Sequence, residues 1–138
     1  MKPEKKKNVF SKEEVDALVP ELERRLKDLH QKKDAYNRIH DSLFMHELLC
    51  EAERSRGFLE GTENLEMSFY ALEEAIEALA RDVEAIFELG CFLRNIERGR
   101  VEFRGVLEGR DVFFCWQKGE PVVGRYRLPR EKNEKKIL

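Results

Sequence analysis

Apolar residues recur with helical spacing over the first third of the chain. One row repeats every seven positions and consists of Val15, Leu22, Leu29, Tyr36, Leu43 and Cys50. This spacing places the row along one face of an α-helix. Ser11 and Glu14 match a capping box at its start. Pro20 removes a backbone hydrogen bond and clashes with the preceding turn, so we expect a kink or break there, with a short first helix and a long second piece that ends near Gly57.

A second and stricter row follows a turn predicted at residues 57–61. Its members are Leu65, Phe69, Leu72, Ile76, Leu79, Val83 and Ile86. Thr62 is an N-cap candidate, and the row stops at Gly90, a residue type that commonly ends helices. Two long helices joined by a short turn run antiparallel, and folding the chain here keeps both rows in register. The pattern therefore predicts a coiled-coil-like helical hairpin over residues 9–90.

The periodicity changes after Gly90. Residues 101–107, 111–117 and 121–127 are rich in β-forming residues, and Gly-containing turn signals separate them. We expect a small three-stranded antiparallel β-meander over residues 91–128 that packs on the hairpin, which gives an α+β fold. Residues 1–8 form a basic tail, and residues 129–138 form a charged tail that we expect to be mobile.

Composition and charge limit the function classes. The 138 residues suffice for one domain, and 26 Lys+Arg against 28 Asp+Glu give a net charge of −2. This balance argues against a strongly basic nucleic-acid binder, so nucleic-acid binding through the Lys-rich tails is only a third alternative. The sequence offers no stretch suited to spanning a membrane. Cys50, Cys91 and Cys115 are odd in number and widely spaced, which indicates reduced thiols in a cytoplasm.

A spaced set of residues resembles a known family. It comprises Gly90-Cys91, Arg94-Asn95, Gly99, Val101-Glu102-Phe103, Cys115-Trp116 and Gly119-Glu120. The set looks like the signature of the domain-of-unknown-function family 2203 of prokaryotes, and the resemblance covers about residues 9–127. It implies kinship and fold, and no activity comes with it. The family typically has Lys-Asp at Arg94-Asn95, Asp at Glu102 and Trp-His at Tyr126-Arg127. If that histidine serves relatives as a ligand or base, this chain lacks it.

Candidate chemistry gathers between the end of the second helix and the meander. The candidate ligand-binding residues are Cys91, Arg94, Glu102, Cys115, Trp116 and Glu120. Glu102 faces Cys115 if the first β-turn is tight, and these two with Cys91 are the candidates for a zinc or iron site. Zinc needs about four ligands and the usual short ligand pair is absent, so no cofactor is predicted. The alternatives are buried apolar cysteines, a core Trp116, a turn residue at Glu120 and a structural ion pair at Arg94.

An excess of apolar residues surrounds the predicted hairpin turn. The candidate interface residues are Phe44, Met45, Leu48, Leu49, Phe58, Leu59, Met67 and Tyr70. Such a surface is typical of an interface, and we expect two hairpins to associate at their turn ends into a homodimeric four-helix bundle. The first interpretation is a non-enzymatic, self-associating scaffold or interaction module. The second is a metal- or small-ligand-binding protein, possibly an enzyme.

Overall fold

The computed structural model describes residues 9–57, 62–131 and 135–138. The basic tail at 1–8, most of the predicted turn, and the interface candidates Phe58 and Leu59 lie outside the described residues. Two helices precede five strands in chain order: α1 (Lys12–Ser55), α2 (Thr62–Phe87), β1 (Phe92–Asn95), β2 (Arg100–Leu107), β3 (Arg110–Gln117), β4 (Arg125–Arg127) and β5 (Lys136–Ile137). The chain is therefore α+β, as the sequence pattern predicts.

The start of α1 follows the predicted capping box. The Ser11 hydroxyl accepts the Glu14 amide at 3.2 Å, and the Glu14 carboxylate accepts the Ser11 amide at 3.1 Å. The expected break at Pro20 is wrong, because α1 continues through it as one 44-residue helix. Pro20 is exposed while Val19 and Leu22 beside it are buried, so side-chain packing holds the helix across the lost backbone hydrogen bond.

The sheet has five strands rather than the predicted three. They are antiparallel neighbours in the order β1-β2-β3-β4-β5. β1 was not predicted. It is short and has a register shift between Leu93 and Asn95, so a regular alternation of residues does not mark it in the sequence. Part of the tail expected to be mobile pairs with β4 as β5. β4 covers only the end of the strand predicted at residues 121–127. In the earlier part of that segment, the Val123 amide donates to Asp16 Oδ1 of α1 at 2.8 Å and not to a neighbouring strand.

A two-residue turn sets the register of the two longest strands. Leu107 pairs with Arg110, and the intervening Glu108 and Gly109 have φ angles of 51° and 80°. Positive φ at both positions is the signature of a type I′ turn, whose twist matches that of the flanking strands. The sequence predicts that Glu102 faces Cys115 if this turn is tight. The turn is tight, and the two residues are directly opposite each other.

Alternation along the strands gives the sheet two unlike faces. The inner face carries side chains that are at most 1% exposed: Val101, Phe103, Val112, Phe114 and Trp116. Helix residues that are fully buried complete this core: Val15, Leu22, Leu26, Leu29 and Ile86. The outer face carries Arg100, Glu102 and Arg104 of β2, Phe113, Cys115 and Gln117 of β3, and Arg125 and Arg127 of β4. The core thus lies on one face and the polar chemistry on the other.

The segment that leads into α1 is fixed to β2 at Gly105. The Phe10 amide donates to the Arg104 carbonyl at 2.9 Å, and the Phe10 carbonyl accepts the Val106 amide at 3.3 Å. The Phe10 ring meets the Phe103 ring edge-on at a centroid distance of 5.0 Å. A Cβ at Gly105 would overlap the Phe114 ring and the Phe10 carbonyl oxygen. Close approach of the backbone therefore requires glycine here.

The chain divides into two compact units, and both helices contribute to both. The sheet unit comprises residues 1–30 and 82–138, and the helical unit comprises residues 31–81. In the sheet unit, Glu23 accepts the Gly119 amide at 2.7 Å, and the His30 ring lies between the Ile96 carbonyl and the Lys118 ammonium. Among the described residues, neither helix combines the length and apolar content that a bilayer crossing requires.

Candidate functional site

A cavity of about 460 Å³ opens on the outer face of the sheet. The lining comes from β1 to β4 and from the segment just before β5. Its residues are Arg94, Asn95, Arg100, Val101, Glu102, Cys115, Trp116, Arg125, Arg127 and Lys135. All of them belong to the sheet unit.

The strand register brings residues that are distant in sequence to this cavity. Glu102 of β2 lies opposite Cys115 of β3, and Cys115 lies opposite Arg125 of β4. Directly opposed residues in an antiparallel sheet present their side chains on the same face with Cβ atoms about 5 Å apart. Three polar side chains from three strands therefore form one row across the sheet.

Glu102 is the centre of the site, although it is only 8% exposed. The Arg127 guanidinium donates to both of its carboxylate oxygens, at 2.7 and 2.8 Å. Arg94 donates from Nε at 3.0 Å, and the Cys115 thiol donates at 3.5 Å. A bidentate arginine is the geometry that best satisfies a buried carboxylate. One carboxylate thus joins side chains from β1, β2, β3 and β4.

The electrostatics of this cluster fix Glu102 in its ionised form. Burial alone would raise the pKa of Glu102, but hydrogen bonds from Arg127 and Arg94 outweigh it and lower the pKa to about 2. The same hydrogen bond raises the pKa of Arg127. Because the carboxylate is ionised near neutral pH, Glu102 has no proton to donate, and its hydrogen bonds position the arginines.

Cys91 and Cys115 are buried thiols whose surroundings favour the protonated form. Burial, followed by the nearby Glu102 carboxylate, raises the pKa of Cys115 to about 11. Burial raises the pKa of Cys91 to about 12, and the Cys91 thiol donates to the Ile86 carbonyl at 3.2 Å. Protonated thiols are poor nucleophiles and poor metal ligands.

The three metal candidates are not brought together as a ligand set. Glu102 and Cys115 are in contact, whereas Cys91 is not among the residues that line the cavity. Within residues 9–57, 62–131 and 135–138, no group of three or more His, Cys, Asp or Glu side chains is placed to hold a metal ion.

Trp116 and Glu120 are joined by a hydrogen bond at the β3–β4 connection. The indole N–H of buried Trp116 donates to the Glu120 carbonyl at 2.8 Å. The Glu120 carboxylate accepts the Gln117 amide at 2.7 Å and the Arg125 Nη2 at 3.3 Å. Both residues hold this turn in place, and Glu120 also orients one cation of the cavity.

Cationic donors exceed the acceptors that the cavity supplies. Arg125 Nε is buried and has no hydrogen-bond partner among the described residues. Arg100 reaches Gln117 from Nε at 3.4 Å, and Lys135 is exposed at the rim. Among the described residues, five lining cations against the Glu102 carboxylate leave a formal charge of +4, and Glu120 beside Arg125 reduces it to +3. The site therefore has the charge of an anion-binding site.

Two aromatic rings extend the outer face next to the cavity. The Arg94 guanidinium lies 4.9 Å from the centroid of Phe92, and that of Arg127 lies 4.4 Å from the centroid of Phe113. These distances are typical of cation–π contacts. The rings therefore help to hold the two arginines that bind Glu102.

The structure places most of the predicted site residues around one cavity. Arg94, Glu102, Cys115 and Trp116 line it, and Glu120 contacts a lining arginine. The sequence prediction missed four cations: Arg100, Arg125, Arg127 and Lys135. Two features of the sequence point to Arg125 and Arg127 of β4. They alternate as Arg-x-Arg, which places both on one face of a strand, and a buried Glu102 needs a cationic partner.

The fold and the site define an α+β protein with a cationic cavity on the polar face of an antiparallel sheet. The chain belongs to the family described as uncharacterized conserved protein DUF2203, which matches residues 8–130. This match confirms the resemblance seen in the sequence. A search of curated proteins and a search of solved structures each found no match. Arg127, at the position where the resemblance leads one to expect histidine, is the bidentate partner of Glu102.

Proposed function

We propose that this protein binds a small anionic ligand in the cavity on the sheet. One observation carries the proposal: among the described residues, five cationic side chains line a cavity in which Glu102 is the one lining carboxylate, and the buried Nε of Arg125 has no partner. A buried donor without an acceptor costs about 1–3 kcal/mol. An anion would satisfy that donor and reduce the repulsion among the cations.

Binding, rather than catalysis, is the activity we propose. Glu102 is ionised, so it has no proton to donate. Hydrogen bonds from two arginines already occupy its carboxylate oxygens. The raised pKa of the Cys115 thiol removes the other nucleophile candidate of the cavity. The remaining lining groups are cations that bind and orient.

The proposal is tested by ligand-induced thermal stabilisation at constant ionic strength. Acetate, sulfate, citrate and pyrophosphate are compared on the wild-type protein, Arg125→Gln and Arg104→Gln. Arg104 is the matched control, because it lies on the same sheet face but does not line the cavity. A ligand at 100 times its Kd adds about 2.7 kcal/mol, which raises the Tm by several degrees.

We expect at least one anion to raise the Tm of the wild type and of Arg104→Gln, with the rise largely lost in Arg125→Gln. If every anion shifts wild type and Arg125→Gln equally, the cavity is not a binding site and the proposal is wrong.

Self-association is a second candidate function, supported by the exposed side chains of the helical unit. Phe44, Met45, Leu48 and Leu49 are each 52–65% exposed, and Met67 and Tyr70 are at least 70% exposed. Phe69 and Ile76 of the predicted α2 seam are still nearly half exposed. We propose that α1 and α2 pair here as an antiparallel coiled-coil-like hairpin, and that two copies cover these surfaces as a four-helix homodimer.

The exposed apolar side chains supply area for an interface. Three of the eight are aromatic, a class of side chain that buries about 150–250 Å² each, and all eight are at least 46% exposed. A standard interface buries about 800 Å² on each partner, and a monomer rarely leaves a patch that large uncovered.

Light scattering coupled to size-exclusion chromatography tests this second function. We expect a dimer at micromolar concentration, and a monomer for Leu48→Glu. Asn37→Glu adds the same charge at an exposed position of the same helix outside the patch and should remain a dimer. A wild-type monomer throughout the micromolar range contradicts the proposal.

We also propose a cytoplasmic location, which the three free cysteines support.

A further inference from the structure

We infer that the ligand of the sheet cavity is a phosphoryl compound with two or three negative charges, such as a phosphate monoester or pyrophosphate. The inference rests on the proposed anion-binding function and names its ligand class. The formal charge of +3 around the cavity is its first basis. A monocarboxylate would leave most of that charge uncompensated, whereas a dianion or trianion would nearly balance it.

The kind of donor that remains available is the second basis. The planar fork of Arg127, which could bind a carboxylate or a phosphate, is already occupied by Glu102. The donors left over belong to four different side chains: Arg125 Nε, the Nη atoms of Arg94 and Arg100, and the Lys135 ammonium. Separate donors suit a phosphoryl group, which presents several oxygens in different directions, better than they suit the flat edge of a carboxylate.

The spread of these donors over the sheet is the third basis. Arg94, Arg100 and Arg125 lie on β1, β2 and β4, and Lys135 precedes β5. Neighbouring strands are about 4.8 Å apart, so β1 and β4 are separated by roughly 14 Å. The long cationic side chains enter the one cavity from these different strands, so they approach a ligand there from several directions, which suits a group with several charged oxygens. The cavity of about 460 Å³ also lies within the size range of small-molecule sites and leaves room beyond one phosphate group.

Calorimetric titration with pyrophosphate and citrate, at equal ionic strength and pH, tests the inference. Both carry close to three negative charges near neutral pH, so the comparison separates phosphoryl chemistry from charge alone. We expect pyrophosphate to bind the wild type at least about tenfold more tightly than citrate does. Arg125→Gln and Lys135→Gln should each weaken pyrophosphate about tenfold, as expected for one lost charged hydrogen bond, and the control Arg104→Gln should change it less than about twofold.

The two variants keep the test independent of folding. Lys135 is exposed, so its substitution leaves the core intact, and Trp116 fluorescence reports whether Arg125→Gln has kept its native state. Equal or tighter binding of citrate, lost in Arg125→Gln, would refute the phosphoryl class while leaving the proposed function standing. No binding of either anion would refute both.

A third probe distinguishes free phosphoryl compounds from a nucleic-acid backbone. A short single-stranded oligonucleotide carries one charge per phosphodiester, so we expect it to bind more weakly than pyrophosphate. An oligonucleotide that binds more tightly, with the same loss in Arg125→Gln, would overturn the small-ligand inference in favour of a phosphodiester polymer.

Discussion

Replacing Glu102 by Gln tests whether one ionised carboxylate stabilises the sheet unit. In the folded protein the pKa of Glu102 is about 2, against an ordinary value of 4.5. A lowered pKa contributes stability that is fully present above pH 4.5 and is lost as the pH falls through about 2. The difference corresponds to roughly 3 kcal/mol at pH 7, roughly 1 kcal/mol at pH 3 and well under 1 kcal/mol at pH 2.

The variant also leaves the buried Arg127 without its counterion. Removing one partner of a buried ion pair costs about 3–5 kcal/mol, so the measured loss at pH 7 should reach at least the linkage figure. Urea unfolding followed by the fluorescence of Trp116, the single tryptophan of the chain, measures the free energy of unfolding where Glu102 lies. The loss should stay nearly constant between pH 7 and about pH 4.5 and then shrink as the pH falls to 3.

Glu120→Gln is the matched control for this experiment. Glu120 also pairs with an arginine, but both side chains are about one third exposed, so we expect a loss below about 1 kcal/mol. The reasoning is refuted if Glu102→Gln costs less than about 1 kcal/mol at pH 7. It is refuted as well if the cost is the same at pH 7 and pH 3, because the ionised carboxylate would then not be its source.

Three further predictions concern packing, capping and thiol reactivity. Gly105→Ala should lower the free energy of unfolding by at least about 2 kcal/mol, because the added Cβ overlaps Phe114 and the Phe10 carbonyl. The control Gly124→Ala, whose Cβ meets only an ordinary contact, should lower it much less. Equal urea midpoints for the two variants would contradict this prediction. Ser11→Ala should cost about 1 kcal/mol through the lost cap of α1, and an unchanged Tm would argue against that role. Cys91 and Cys115 should resist iodoacetamide at pH 8 until urea unfolds the protein, because their raised pKa values leave almost no thiolate; rapid labelling of either in mass spectra of the native protein would contradict the assigned burial.

The sequence predicted best those features that depend on local periodicity. The capping box at Ser11, the two helical segments and the central β2–β3 hairpin all follow from residue spacing within a few turns or one strand pair. The opposition of Glu102 and Cys115 followed in turn from the length of one loop. Each of these features is decided by neighbours in the sequence.

The features that were missed depend on tertiary partners. Packing of Val19 and Leu22 keeps α1 continuous through Pro20, and a single residue's helix propensity does not contain that information. β5 forms because β4 offers it an edge, although its own sequence is a charged tail. The predicted meander did include pairing of β4 with β3, but the roles of Arg125 and Arg127 depend on the register of that pairing, which brings them to the face of Glu102 and Cys115.

The ties that Glu102 makes across the sheet affect how its edges can open. β1 and β4 have four and three residues, lengths at which a strand ordinarily frays from its neighbour. Each of them supplies an arginine to the carboxylate of Glu102. If either strand detached, the buried carboxylate would lose one of its cationic hydrogen-bond partners. The two short strands, which never touch one another in the ladder, are thereby coupled: detachment of one weakens the anchorage of the other. The polar face should accordingly open as a cooperative whole rather than peel strand by strand.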